Sequence, residues 1–208
     1  MGKNRKNNLT VKFIGIAGPT ASGKTSLAEH IMKTIDQDKC IIISQDNYYK
    51  DWSRLSRKKR KKINFDDIRA FDTELLRTHL RKLKANMQIS MPKYDFIESR
   101  RLKTFTKVFP KPVIILEGLI PFTDTKLRSL LDYKIYIATD NSVCLARRIK
   151  RDTKERGETI EYVCQRYFHD VLPMQKKYVE PQKKLADIVV DGSKKFDNNL
   201  LSNILNHI

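Results

Sequence analysis

The stretch Val11-Lys12-Phe13-Ile14-Gly15-Ile16-Ala17-Gly18-Pro19-Thr20-Ala21-Ser22-Gly23-Lys24-Thr25 limits what this chain can fold into more than any other. A short apolar, β-branched run ends in a glycine-rich turn, and helical patterning starts at once in Ser26-Leu27-Ala28-Glu29-His30-Ile31. Gly18 to Thr25 fits G-x-x-x-x-G-K-S/T, the phosphate-binding loop, in its required strand–loop–helix setting. Glycines let the main chain close on a ligand. Main-chain N–H groups of Gly18, Pro19-Thr20-Ala21-Ser22 and Gly23 (Pro19 contributing shape alone) then surround it, and the helix N-terminus adds partial positive charge. Lys24 is placed to reach β- and γ-phosphates and the Thr25 hydroxyl to ligate Mg²⁺. The stretch implies a nucleoside triphosphate site.

At 208 residues the chain suits one α/β domain, with 40% hydrophobic and 9% aromatic residues arguing for a packed core. No apolar run approaches the roughly 20 residues of a membrane span, so no membrane partner is expected. Met1 to Asn8 is polar and basic, which predicts no secretory signal, and Lys6 breaks the myristoylation pattern. Cys40, Cys144 and Cys164 read as reduced thiols of a cytoplasmic protein. The formal charge is +18. That excess suits either a nucleic-acid surface or solvated basic faces around a polyphosphate pocket, and the second is expected here. The densest run, Arg57-Lys58-Lys59-Arg60-Lys61-Lys62, is expected to be an exposed helix face.

Further along, a helix is predicted to about Gln37, then a buried strand Cys40-Ile41-Ile42-Ile43-Ser44. This strand delivers Asp46 to the sheet end where open α/β sheets bind ligands. There Asp46 could accept a proton from an attacking hydroxyl and help hold Mg²⁺, or simply cap a helix. A helix carries Leu75, Leu76, Leu80 and Leu83 at helical spacing. Met87 to Tyr94 and Lys103 to Phe109 alternate as a hairpin would, an aromatic-rich substrate lobe spanning about 85–110. Pro112 to Gly118 is the next strand and ends in Glu117, a metal-supporting carboxylate or a helix cap. After a strand at Lys134 to Ala138, Arg147 to Gly157 reads as a helical lid, about 144–160, whose arginines swing over the triphosphate. Ala186 to Val190 is a last strand and Asn198 to Ile208 a closing amphipathic helix. The fold expected is a single P-loop kinase domain over 1–208, with a mainly parallel central sheet flanked by helices.

The order of these motifs resembles the uridine kinase (uridine-cytidine kinase) family from about Val11 onward. The matching pieces are the phosphate loop, Gln45-Asp46-Asn47-Tyr48-Tyr49, Asn64-Phe65-Asp66 with Ala70-Phe71-Asp72, Pro92 with Tyr94-Asp95-Phe96, and Glu117-Gly118. Arg147-Arg148-x-x-Arg151-Asp152-x-x-Glu155-Arg156-Gly157 and Ala186-Asp187-Ile188 complete the set. The resemblance implies transfer of the γ-phosphate of ATP (or GTP) to a nucleoside 5′-hydroxyl, in a cytoplasmic enzyme that is often tetrameric. It implies that Asp46 is the general base and that Thr25, Asp46 and Glu117 form the Mg²⁺ shell. Asp66 corresponds to the carboxylate on the ribose hydroxyls, and Tyr94 and Phe96 to contacts with the base. Tyr49 falls on the acceptor side, as does Arg148, while Arg151 and Arg156 correspond to the lid arginines on the phosphates.

The sequence departs from the family at acceptor-side positions. Ser99 stands where a histidine is usual, Glu158 replaces the second arginine of Arg-Gly-Arg, Arg166 replaces a glutamine, and Asp66-Asp67-Ile68-Arg69 replaces Asp-His-Pro-Asp. Sites that hydrogen-bond a polar group can discriminate by about 10⁴–10⁵. Such changes alter base selectivity before phosphoryl transfer. A kinase of the same fold for another hydroxylated metabolite, and a basic nucleotide- and RNA-binding module, are the alternatives. The loop also resembles that of tRNA isopentenyltransferases, but Asp46-Asn47-Tyr48-Tyr49 and the lid do not fit them.

Overall fold

The computed structural model describes residues 9–207. The readings of Met1 to Asn8, and the last residue of the closing helix, lie outside the described residues.

The apolar runs form five parallel strands: β1 (Lys12–Ala17), β2 (Cys40–Ser44), β5 (Val113–Gly118), β6 (Tyr133–Ala138) and β7 (Ile188–Asp191), in the order β2-β5-β1-β6-β7. Parallel strands need cover on both faces, which is why these runs are nearly continuous in apolar residues. Alternation along each strand divides the core. Phe13, Ala17, Ile114, Leu116 and Tyr136 enter one cluster, while Ile14, Ile16, Ile115, Ile135 and Ile137 enter the other. The second cluster is covered by α1 (Lys24–Ile35) and α8 (Asn198–Leu205), the first by α3 (Thr73–Lys84) and its surroundings.

Strand order fixes where a ligand can sit. From β1 the chain passes over β5 to form β2, and later moves to the opposite side for β6. The crevice at the C-terminal end of β1 is therefore a topological switch point. A short helical turn, α2 (Arg57–Arg60), lies in the β2–α3 connection, and β3 (Ile89–Asp95) and β4 (Arg100–Val108) form a separate antiparallel hairpin. After the short α4 (Thr125–Arg128) and β6 comes α5 (Asn141–Arg156), then α6 (Ile160–Arg166). Helical backbone continues from α6 through a π segment at Tyr167–Val171, the short α7 (Leu172–Met174), a second π segment at Gln175–Val179 and a 3-10 stretch at Glu180–Leu185.

Several expected bounds shift. The helix predicted to about Gln37 ends at Ile35, where Asp36 turns to φ 113°. The second hairpin strand starts at Arg100 rather than Lys103, because the Asp95 carboxylate accepts from the N–H groups of Ile97 and Glu98 and closes a tight turn. The last strand runs Ile188–Asp191, two residues later than its predicted start. The basic run is not an exposed helix face throughout. It makes one helical turn, and Arg60 is buried with its guanidinium on the carbonyls of Leu55 and Glu98 and the Glu98 carboxylate. The helical run after α6 had no counterpart in the sequence reading.

That run holds the loop after β5 through one side chain. Gln182 is 1% exposed; its Oε1 accepts from Phe122 N at 2.8 Å and its Nε2 donates to Leu119 O at 2.7 Å. A Gln182→Leu change keeps the size but orphans both buried backbone groups. We expect a loss of about 2–4 kcal/mol in chemical denaturation; a loss below about 0.5 kcal/mol would mean the loop is held by packing alone.

Candidate functional site

The phosphate-loop motif links β1 to α1. Gly18 allows close approach: a Cβ there would lie 2.6 Å from the Ile137 carbonyl oxygen. Gly23 has φ 106° and is the residue before α1, a conformation that favours glycine. Ala21 is held at φ 55°, a left-handed backbone of the kind found at ligand clamps. Lys24 opens α1 and is 8% exposed; its ammonium donates to Pro19 O at 2.6 Å. Burial lowers its pKa, against the opposing pull of Glu117 and Asp46. The buried Ser22 hydroxyl oxygen has no hydrogen-bond partner.

Two acids stand beside this loop for a reason of register. Ser44 of β2 pairs with Glu117 of β5, and Glu117 also pairs with Ile16 of β1. Asp46, two residues past Ser44, is therefore carried to the same strand tips. Asp46 does not cap: the Ser44 hydroxyl accepts its N–H at 3.4 Å, leaving the buried Asp46 Oδ1 without a partner. Burial raises the Glu117 pKa, the neighbouring Asp46 raises it further, and the Lys24 ammonium with the Ser44 and Thr25 side chains pulls it down. Thr25, Asp46 and Glu117 offer oxygen donors alone, the set that suits Mg²⁺ when phosphates complete its shell. An orphaned carboxylate oxygen beside a second carboxylate fits such a cation.

A cavity of about 970 Å³ opens from these groups. Thr20, Ala21, Ser22, Gly23, Lys24, Thr25, Asp46 and Glu117 line its loop side. Asp66, Tyr49, Tyr94, Phe96, Ser99, Arg148, Glu158 and Arg166 line its far side, and Arg151 and Arg156 lie along α5. Gly18 and Pro19 are not on its wall; they hold the loop from behind. Residues dispersed over the chain thus converge on one space.

The far wall is aromatic. The Tyr49 ring stacks on Phe71 with centroids 4.5 Å apart and meets Phe65 and Tyr94, each at 5.1 Å, and Phe96 continues the row 5.5 Å from Tyr94. Burial first, then Asp46 and Asp66, drive the Tyr49 hydroxyl well above its usual pKa. Asp66 is also raised, by burial foremost, although Arg148 opposes it. Arg148 joins the parts: its Nη1 donates to Thr20 Oγ1 at 3.2 Å and lies 3.8 Å from Asp66 Oδ1. The Arg156 guanidinium sits 4.9 Å over the Phe96 ring, spanning from α5 to the hairpin.

At the departing positions, the charges are already paired. Glu158 meets Lys61 Nζ at 3.3 Å, and Lys61 also approaches the Tyr162 ring at 5.5 Å. Arg166 donates to Lys61 O and Ile63 O and pairs with Asp170 at 2.8 Å, so most of its guanidinium is spoken for. Ser99 sits at the hairpin turn with φ 51°. Sequence reading missed Lys61, Tyr162, Phe65 as a wall residue, and the partnership of Asp152 with the lid arginines. Lys61 was hidden in a like-charge run, whereas Asp152 stood in view inside the Arg-Asp motif.

The fold and this cavity define a phosphotransferase of the P-loop kinase class, acting on an alcohol group. Residues 13–198 match the Phosphoribulokinase / Uridine kinase family, and the chain belongs to that family. It is 48% identical over 178 residues to "Uridine kinase" of Clostridium novyi (strain NT), covering 86% of each chain. It is 45% identical, again over 86% of each, to "Uridine kinase" of Clostridium perfringens (strain 13 / Type A). Among solved structures, phosphoribulokinase from Rhodobacter spheroides shares the fold at TM-score 0.62 and 17% identity, over 89% of this chain and 73% of that one. Among the described residues no helix is long and apolar enough to cross a membrane.

The raised pKa of Asp66 gives a stability test with a definite sign. Its ionised form is disfavoured by folding, so the cost sets in as pH rises above the unfolded value of about 3.9 and is complete above the raised folded value. Free Asp66→Asn should therefore melt above the wild type at pH 8, with the gap closing as pH falls into the carboxylate range. A wild type that melts higher at pH 8 would show that Arg148 outweighs burial.

Proposed function

We propose that this chain phosphorylates a pyrimidine ribonucleoside, uridine first and cytidine second, at the 5′-hydroxyl, using ATP (or GTP) and giving UMP or CMP in nucleotide salvage. The observation that carries this reading is the unpartnered Asp46 Oδ1, buried at the strand tips of a cavity that has a phosphate loop on one side and an aromatic wall with Asp66 on the other. The names of the relatives favour uridine over a different hydroxylated acceptor.

In this reading Asp46 takes the 5′-hydroxyl proton as that oxygen attacks the γ-phosphorus, and the bond to the β-γ bridging oxygen breaks so that ADP leaves with the electron pair. Lys24, the loop N–H groups, Arg151 and Arg156 hold the charge spread over the phosphoryl oxygens, so positioning and electrostatics do most of the catalysis. Thr25, Asp46 and Glu117 would hold Mg²⁺, which when bound neutralises charge on the β- and γ-phosphates. Asp66 takes the ribose hydroxyls, Tyr49, Tyr94 and Phe96 flank the base, and Arg148 stands between sugar and phosphates. Ser99, Glu158 and Arg166 lie at the base-reading end, where Lys61 returns the positive charge that Glu158 removes. We assign one domain over 1–208, with the hairpin region about 85–110 as substrate lobe and about 144–160 as lid, in a cytoplasmic homo-oligomer, tetrameric by family likeness. No membrane or nucleic-acid partner belongs to this reading.

Asp46→Asn should lower kcat for uridine by roughly 10²–10⁴-fold while ADP affinity, measured without metal, stays within a few fold. The readout is ADP release with a panel of nucleosides. Wild-type kcat in the variant would remove Asp46 as base, and a non-nucleoside acceptor that outperforms uridine would overturn the substrate class.

A further inference from the structure

Asp152 has no part in the mechanism above, yet it is the most heavily engaged carboxylate beside the cavity. It lies on α5 and is 4% exposed. Its Oδ1 accepts from Arg151 Nε at 2.8 Å and lies 3.4 Å from Arg156 Nη1, while Oδ2 lies 3.3 Å from Arg148 Nε. A single negative charge is shared by three guanidinium groups, all of which line the cavity. Arg148 has Thr20 and Asp66 as further partners. Arg151 and Arg156 have no other ion-pair partner among the described residues, and Arg156 otherwise rests on the Phe96 ring.

This sharing is lopsided. Three guanidinium groups repel one another, and one carboxylate cannot give each a bidentate pair. Burial would lower Arg151, yet the hydrogen bond and charge of Asp152 leave it raised. Arg156 ends lowered, by burial first and by Arg151 next, despite Asp152. A triphosphate brings several anionic oxygens in the geometry that guanidinium forks prefer.

We propose that Asp152 is a resident counter-ion, which holds Arg151 and Arg156 at the cavity wall while phosphates are away and gives them up when nucleotide binds. It is a positioning residue, acting through the arginines, and the proposal rests on reading the cavity as a nucleotide site. Competition of this kind opposes nucleotide binding and hastens product release. A carboxylate that merely supported the helix would do neither.

The test is ADP titration by calorimetry on the wild type, Asp152→Asn and Asp152→Glu, with steady-state kinetics on each. Asp152→Asn keeps the shape and removes the charge, so it should bind ADP roughly tenfold tighter. KM for ATP and kcat should fall together as release slows, and Asp152→Glu should return ADP affinity toward the wild type. Equal or weaker ADP binding by Asp152→Asn overturns the proposal. Should that variant not fold, the Arg151 Nε–H resonance of the wild type, assigned with Arg151→Lys, still decides the matter: it should shift at saturating ADP, and an unmoved resonance overturns the exchange. A wild type that binds no ADP defeats the nucleotide reading itself, a distinct outcome.

Discussion

Everything at this site depends on keeping the Lys24 ammonium charged in a place with little water. Burial lowers the pKa of this group, and the carboxylates of Glu117 and Asp46 pull it back up. Strand order arranges this. β1 delivers the loop whose Pro19 carbonyl accepts from the ammonium at 2.6 Å, its neighbour β5 brings Glu117 to the same end, and β2, one strand further out, brings Asp46. The Lys24 ammonium and the Glu117 carboxylate favour each other's charge, while Asp46 supports the ammonium and opposes Glu117. On the reading proposed above, a polyphosphate and a cation would complete this set of charges.

The acceptor side obeys a different rule. Tyr49, Phe65 and Phe71 of the β2–α3 connection and Tyr94 of the hairpin build an apolar wall, and Asp66 stands at its edge with Arg148 as counter-charge. Because Arg148 also reaches Thr20 of the phosphate loop, one side chain senses both halves of the cavity. Beyond it, α5 offers its arginines from one helical face, and Arg156 bridges to the hairpin through Phe96. Polar and flat parts thus alternate along one continuous cavity surface.

The sheet and the loop side of the site were legible in the sequence because their signals are local. The glycine turn lies within a few residues of β1, Asp46 within two of β2, and Glu117 at the end of β5 itself. The aromatic hairpin and the arginine-bearing helix were legible as a lobe and a lid, while the parts expected of single residues such as Tyr94, Phe96 and Arg148 came only through family likeness, since no periodicity marks them. The helical stretch after Arg166 stayed unread for a physical reason: π turns at Tyr167–Val171 and Gln175–Val179 each add a residue and break the 3.6-residue period, and Pro173 and Pro181 blur it further. Arg60 illustrates another limit, because a basic residue in a basic run carries no sign that Glu98, far along the chain, will bury it. Lys61 and Glu158 pair across a still longer gap.

The most direct measurement is ³¹P nuclear magnetic resonance of the purified chain with ATP, Mg²⁺ and uridine. The account predicts growth of a phosphomonoester signal coupled to the 5′-methylene protons, in step with ADP and with no excess inorganic phosphate. Phosphate released to water instead, or an ester at the 2′- or 3′-position, would contradict an acceptor hydroxyl held between Asp46 and the phosphate loop.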